Sequence, residues 1–209
     1  MNKVLKHVLW IIPILALFIC LTATTASAAP TSGKCGERLE WKIEGKALTI
    51  TGFGIMDDYD TENHPGWYDS RTSIESVDIA PECTTIGSYA FSDLTALKSV
   101  TMGNKIEVVM TGAFYGCKSL EKITLSETVA AILPGAFYRC GSLTSITIPK
   151  KVTTIDTSAF RLCGSLEKII FKGNAPTIAG NAFTNVTATV YYPYGNSSWN
   201  EYKDRKSVV

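Results

Sequence analysis

The sequence is poor in the raw material of catalysis. Its 209 residues include two histidines, His7 and His64. No segment matches G-x-S-x-G, H-E-x-x-H, C-x-x-C or a P-loop. An excess of charge is missing as well. Twenty Lys and Arg stand against 19 Asp and Glu, so no strong field draws the chain to nucleic acid or anionic lipid. Charged residues are 19% and hydrophobic ones 45%, a balance that excludes a largely disordered chain. Long apolar runs are absent with one exception, the 16 uncharged residues from Val8 to Ala23. Lys3 and Lys6 precede that run and Ala26-Ser27-Ala28 follows it, the three-part pattern of a secretory signal peptide. An uncleaved anchor is the alternative, but Pro13 interrupts the run and it falls short of the ~20 residues needed to span a bilayer. Phe18 and Ile19 before Cys20 do not suit a lipoprotein site. Cleavage after Ala28 leaves 181 residues, which carry 18 basic and 19 acidic side chains once Lys3 and Lys6 are gone, with His64 and five cysteines.

What is abundant is repetition, the first thing to seek in a chain of this length. Ala-Phe recurs at Ala90-Phe91, Ala113-Phe114, Ala136-Phe137, Ala159-Phe160 and Ala182-Phe183, each step being 23 residues. Other columns keep the period: Ile74, Leu97, Leu120, Leu143 and Leu166; Val77, Val100, Ile123, Ile146 and Ile169; Ile86, Val109, Ile132, Ile155 and Ile178. Val100 and Met102 alternate with Ser99 and Thr101, which predicts a short strand with one buried face. Ile123-Thr124-Leu125 and Ile146-Thr147-Ile148 repeat the pattern. Gly112 to Cys117 is too short and too glycine-flanked for a long helix, so a turn of helix or 3₁₀ structure is expected there. No such unit buries its own apolar edge, but stacked coils do. The expectation is an α/β repeat solenoid of about five coils with the phenylalanines as an internal ladder.

Gly116-Cys117-Lys118-Ser119-Leu120-Glu121-Lys122-Ile123-Thr124-Leu125, closing on Ala136-Phe137, resembles the 23-residue leucine-rich repeat of the BspA-like family. Cys140-Gly141-Ser142-Leu143 through Ile146, Ile148-Pro149, Val152, Ile155 and Ala159-Phe160 resembles its common form most fully. Cys35-Gly36 with Trp41 and Leu48-Thr49-Ile50-Thr51-Gly52 is similar to a module that often precedes such repeats, and Thr187 to Pro193 to the segment that closes them. The resemblance implies secreted or surface-exposed binding proteins, often linked to adhesion. This chain departs from the pattern at turns: Asp93, Arg139 and Leu162 stand where Gly116 is the family's glycine, and Pro149 is the one retained proline of its column.

End coils need caps. Leu39, Trp41 and Ile43, a Glu44-Gly45-Lys46 turn, then Leu48 and Ile50 predict a β-hairpin lid. Phe53, Ile55, Met56, Trp67 and Tyr68 supply bulk for the same junction, and Val190, Tyr192 and Trp199 cover the far end. Glu201 to Val209 reads as a frayed tail. The expected division is a signal peptide over 1–28, an N-terminal β cap over 29–73, repeats over 74–186 and a C-terminal cap and tail over 187–209.

Residues with chemical potential have plainer explanations. Cys117, Cys140 and Cys163 form a column, but Leu94 and Val186 share it, which marks a buried apolar slot. Side chains spaced by about 5 Å along parallel strands also exceed the ~3.8 Å Cβ separation of a disulfide, and thiolates would have to converge on a zinc ion. Whether Cys35 pairs with Cys83 stays open. Asp58, Asp60, Glu62 and Asp69 sketch a calcium loop that fails at Asn63, where glycine is required. Gly52-Phe53-Gly54 is too short a glycine motif for a nucleotide. Asn185-Val186-Thr187 and Asn196-Ser197-Ser198 match the glycosylation acceptor. No metal, cofactor or catalytic residue is expected, and the chain is read as a non-enzyme.

The outward strand positions remain. One column runs Asp78, Thr101, Thr124, Thr147, Ile170; its neighbour runs Ser76, Ser99, Lys122, Ser145, Lys168; a third runs Ala80, Gly103, Ser126, Pro149, Lys172. Threonine rows also serve simply to stabilise sheets. The expected binding residues are Ser99, Thr101, Lys122, Thr124, Ser145, Thr147 and Lys168. They would dock an extracellular protein or glycan, from a secreted or cell-surface monomer that engages no nucleic acid and inserts in no membrane after cleavage. A structural or spacer domain without a ligand is the alternative, and an enzyme acting through His64 and the acidic loop a more remote one.

Overall fold

The computed structural model describes residues 29–202. The signal peptide expected over 1–28 lies outside the described residues. β1 (Ser32–Lys34), β2 (Leu39–Glu44) and β3 (Ala47–Ile55) lead into five coils of two strands each. These are β4 (Ser76–Ile79) with β5 (Glu82–Ile86), β6 (Ser99–Thr101) with β7 (Val108–Val109), β8 (Lys122–Ile123) with β9 (Ala131–Ile132), β10 (Ser145–Ile148) with β11 (Thr154–Ile155), and β12 (Lys168–Phe171) with β13 (Thr177–Ile178). β14 (Thr189–Tyr191) closes the row.

The first strand of each coil forms one wall. β4, β6 and β8 pair in parallel, with Val77 beside Val100 and Val100 beside Ile123. β10, β12 and β14 form a separate three-stranded sheet with Ile146, Ile169 and Val190 in line. The second wall, β5-β7-β9-β11-β13, is continuous. Between walls the Ile, Val, Leu and Phe columns fill one core. The rings step from Phe91 to Phe114, Phe137, Phe160 and Phe183 at centroid separations of 5.4, 5.3, 5.0 and 5.2 Å.

The segment opposite the strands differs from expectation: among the described residues it holds no α-helix, and the 3₁₀ turns are confined to Tyr68–Ser70 and Ser197–Tyr202. Each coil instead makes consecutive turns with left-handed residues in two columns. Tyr89, Gly112, Gly135 and Ser158 form one; Asp93, Gly116, Arg139, Leu162 and Asn185 form the other. Positive φ so often forbids a continuing right-handed helix. It also turns backbone groups along the stacking axis, building a third ladder. The N–H groups of Phe91, Phe114, Phe137 and Phe160 donate to the carbonyls of Ala113, Ala136, Ala159 and Ala182 at 2.7–2.9 Å. Glycine suits such positions and other residues are strained there. Arg139 has φ 60° and an exposed side chain, so Arg139→Gly is expected to raise stability by about 0.5–1 kcal/mol. A urea midpoint that stays put or falls would contradict that strain.

The N-terminal hairpin caps by continuing the coil. β2 and β3 are antiparallel, and Leu48 and Ile50 of β3 then lie in parallel register with Val77 and Ile79. The strand next crosses to the second wall, where Gly54 pairs with Cys83. Met56 and Trp67 are buried as expected, but Phe53 is 51% and Ile55 69% exposed. Alternation gives the inward place to Gly54, beside buried Cys83, and turns Phe53 and Ile55 outward. Trp67 heads the ring ladder, 5.7 Å from Phe91, and its indole N–H donates to the Ala90 carbonyl at 2.9 Å. At the far end Trp199 is buried against Phe171 and Tyr192, and donates to the Gly173 carbonyl at 3.1 Å. Glu201 and Tyr202 belong to this closing turn rather than to a frayed tail, with the Tyr202 hydroxyl donating to the Pro176 carbonyl at 3.2 Å.

Candidate functional site

The first-strand wall presents its alternate side chains to solvent. Ser99, Thr101, Lys122, Thr124, Ser145 and Lys168 are exposed and Thr147 is half-buried. Register brings them into rows: Ser76, Ser99 and Lys122 in one block, Ser145, Lys168 and Thr189 in the other. The rows reach further back than the repeat period predicts, because β3 belongs to the same wall. Thr49 stands beside Asp78 and Asp78 beside Thr101, and Lys42 of β2 precedes Thr49. Thr49, Asp78 and Thr101 share a cleft of about 510 Å³ with Ile50, Met102 and Asn104. Thr49 could be added from sequence only by placing the hairpin in register with the coils. Lys168 lies over the Tyr191 ring, 4.9 Å from its centroid.

Two features limit the face. The ladder breaks between β8 and β10, and the Ser126 N–H there meets the Met102 sulfur at 3.4 Å. The third outward column is also largely not outward: Gly103, Ser126 and Pro149 are buried, while Lys172 is exposed. These residues sit where the chain leaves the strand and bends inward. A Cβ on Gly103 would stand 2.2 Å from the Ala80 carbonyl oxygen. At the near edge Lys46 and Lys98 hold Glu75 at 2.5 and 2.8 Å, and their hydrogen bonds keep its carboxyl down at about 2.

Among the described residues the five cysteines, Cys35, Cys83, Cys117, Cys140 and Cys163, are free thiols with no exposure. They are more than apolar filling. Cys117, Cys140 and Cys163 donate to the Phe91, Phe114 and Phe137 carbonyls of the coil before, at 3.0, 3.2 and 3.1 Å. Burial pushes the thiols of Cys117 and Cys140 far above their usual range, and that of Cys35 up to about 12. Such thiols hold no thiolate for attack at neutral pH. Because Cys117, Cys140 and Cys163 are all fully buried, labelling of the native protein is expected to miss them until denaturant is added. Rapid labelling while folded, or stoichiometric zinc by elemental analysis, would contradict this placement.

The remaining polar groups serve the cap. Asp60 accepts from the Glu62 and Asn63 N–H groups, both at 2.7 Å, and Asp58 from the Ser88 N–H at 2.6 Å. The would-be calcium loop thus turns one oxygen of each of these carboxylates to its own backbone or to the first coil. His64 stacks on Tyr68 with centroids 3.7 Å apart. Among the described residues no group of three His, Cys, Asp or Glu side chains is placed to hold a metal ion, and no helix is long and apolar enough to cross a membrane.

A stack of short parallel strands and turns, with one row of Leu and Ile per coil, defines a leucine-rich-repeat protein. Residues 66–189 match the BspA type leucine rich repeat region in six copies, and the chain belongs to that family. The match begins ahead of Ile74, at the turn carrying Trp67. Among solved structures, a leucine-rich repeat protein of Eubacterium ventriosum superposes with a TM-score of 0.66 at 22% identity, over 79% of this chain and 44% of its own. The T. pallidum leucine rich repeat protein TpLRR superposes at 0.50 and 17% identity, over 76% of this chain and 85% of its own. The chain thus spans less than half of the first of these, and at such identities the likeness is one of fold. No curated protein matches it. The family is typically non-catalytic, is commonly found at bacterial surfaces or secreted, and generally works through protein interactions. The chain, as a leucine-rich-repeat protein, is consistent with a binding or structural repeat module.

Proposed function

We propose that the chain is an exported, non-catalytic adhesion module that docks an extracellular protein or glycan, as a monomer, through its first-strand wall. The observation that carries this reading is the in-register row of half-buried Thr49 with exposed Asp78 and Thr101 along a cleft, and of exposed Ser99 with Lys122 beside it, on a scaffold whose inward positions are committed to packing. Side chains free of a packing role, repeated at a strand spacing of about 4.8 Å, suit a long partner that meets several coils at once. Each hydroxyl contact contributes ~0.5–1.5 kcal/mol net. Affinity then comes from number and spacing, and a dissociation constant in the micromolar range is expected. Export rests on the basic, apolar and small-residue segments of residues 1–28.

A screen of the chain from residue 29 onward against extracellular proteins and glycans tests the reading. It predicts at least one saturable partner whose affinity falls only modestly with salt, since the net charge is near zero. Saturable binding to none of them would instead favour a spacer role, in which the Thr and Ser rows only stabilise the wall.

A further inference from the structure

The turn side of the solenoid carries a second stack of rings. Tyr115 and Tyr138 occupy one column a coil apart, with centroids at 4.9 Å and planes within 5°. The same column holds Ser92 in the coil before. A hydroxymethyl group therefore stands where a third ring would continue the stack, and among the described residues no ring covers that face of Tyr115. Beyond the gap stands the stacked pair His64 and Tyr68 of the cap, and above it Tyr89, which leans against Gly112. The result is a cleft of about 530 Å³ lined by Tyr115, Ser92, Tyr89 and the His64–Tyr68 pair, with Asp60, Thr61 and Asp93, well within the size range of small-ligand sites.

Polar groups at its rim are unspent. Among the described residues the Ser92, Thr61, Tyr89 and Tyr115 hydroxyls have no hydrogen-bond partner, nor does the Asp93 carboxylate, and Asp60 uses only Oδ1. Two carboxylates at the rim disfavour an anionic guest, although His64 shares the lining and Arg71 lies over the Tyr68 ring at 4.0 Å. An apolar ring would displace water from the carboxylates and hydroxyls and offer them no partner in return. A ring with one C–H face and several O–H donors satisfies both halves of the cleft: the face lies on Tyr115 and the hydroxyls donate to Asp60 and Asp93, as charge-assisted hydrogen bonds.

We propose that the Ser92 gap is a binding site for one uncharged hexopyranose ring, stacked on Tyr115 and hydrogen-bonded by Asp60 and Asp93. The site lies on the turn side and does not depend on the strand-wall reading. Saturation-transfer NMR with methyl glucoside, galactoside and mannoside tests it, using tetramethylammonium as the competing cation. At least one glycoside is expected to bind saturably in the millimolar range. Ser92→Tyr supplies the missing ring and is expected to weaken that binding at least tenfold with the melting temperature held or raised. Asp93→Asn should weaken it several-fold, and Thr124→Arg with Thr147→Arg should leave it unchanged. The proposal is overturned if no glycoside saturates, if tetramethylammonium binds more tightly than every glycoside, or if the Asp93 variant and a folded Ser92→Tyr both bind as the wild type does.

Discussion

Phe137→Ala is expected to cost about 3–5 kcal/mol. Its ring is buried mid-ladder, between Phe114 at 5.3 Å and Phe160 at 5.0 Å. The cost has two parts, lost transfer of the ring from water and a cavity that the surroundings fill poorly. Collapse is hindered here from both sides. The Phe137 N–H is tied to the Ala159 carbonyl at 2.7 Å, and its own carbonyl accepts the Cys163 thiol at 3.1 Å. The backbone therefore cannot slump inward without breaking the third ladder. Parallel ring contacts add to the loss, each worth about 0.5–1.5 kcal/mol. Neighbouring coils share the interface, so unfolding should stay largely cooperative. Urea denaturation followed by circular dichroism reads the change. A loss below about 1 kcal/mol would mean that Phe137 is not in the core and that the coil register is wrong.

The sequence makes the core legible because packing repeats itself: Leu97, Leu120 and Leu143 must meet the same surroundings each time, so a column is evidence that a single position is not. The strand wall follows from the alternation of Ser99, Val100 and Thr101. Legibility ends where backbone conformation is set by stacking rather than by residue type. Gly116 hints at a left-handed position, but Asp93, Arg139 and Leu162 take the same φ with side chains that disfavour it. The neighbouring coil's hydrogen bonds hold them there, so the expected helical turn is replaced by a ladder of turns. Phe53 and Ile55 looked like core by composition and are exposed, because β3 changes walls at Gly52 and Gly54, both at positive φ. Gly103, Ser126 and Pro149 read as surface by alternation and are buried, because the strand has already ended. The Ser92 gap is invisible in a repeat column until its neighbours Tyr115 and Tyr138 are seen to stack.

The strand-wall account is tested most directly by replacing Thr124 and Thr147 together with Arg and measuring binding to a partner found in the screen. Thr124 is exposed and Thr147 half-buried, on the wall between Thr101 and Ile170. Two long cations there would obstruct a partner spanning the coils while leaving Ile123, Leu125, Ile146 and Ile148, all buried, in place. Blocking the middle of the face also separates its two blocks, so multiple weak contacts cannot add up. The account predicts that affinity falls at least a hundredfold by calorimetry or surface plasmon resonance, with the melting temperature within about 2 °C of wild type, as for surface changes away from the core. Wild-type affinity in the folded double variant would contradict it and exclude the strand wall as the recognition face.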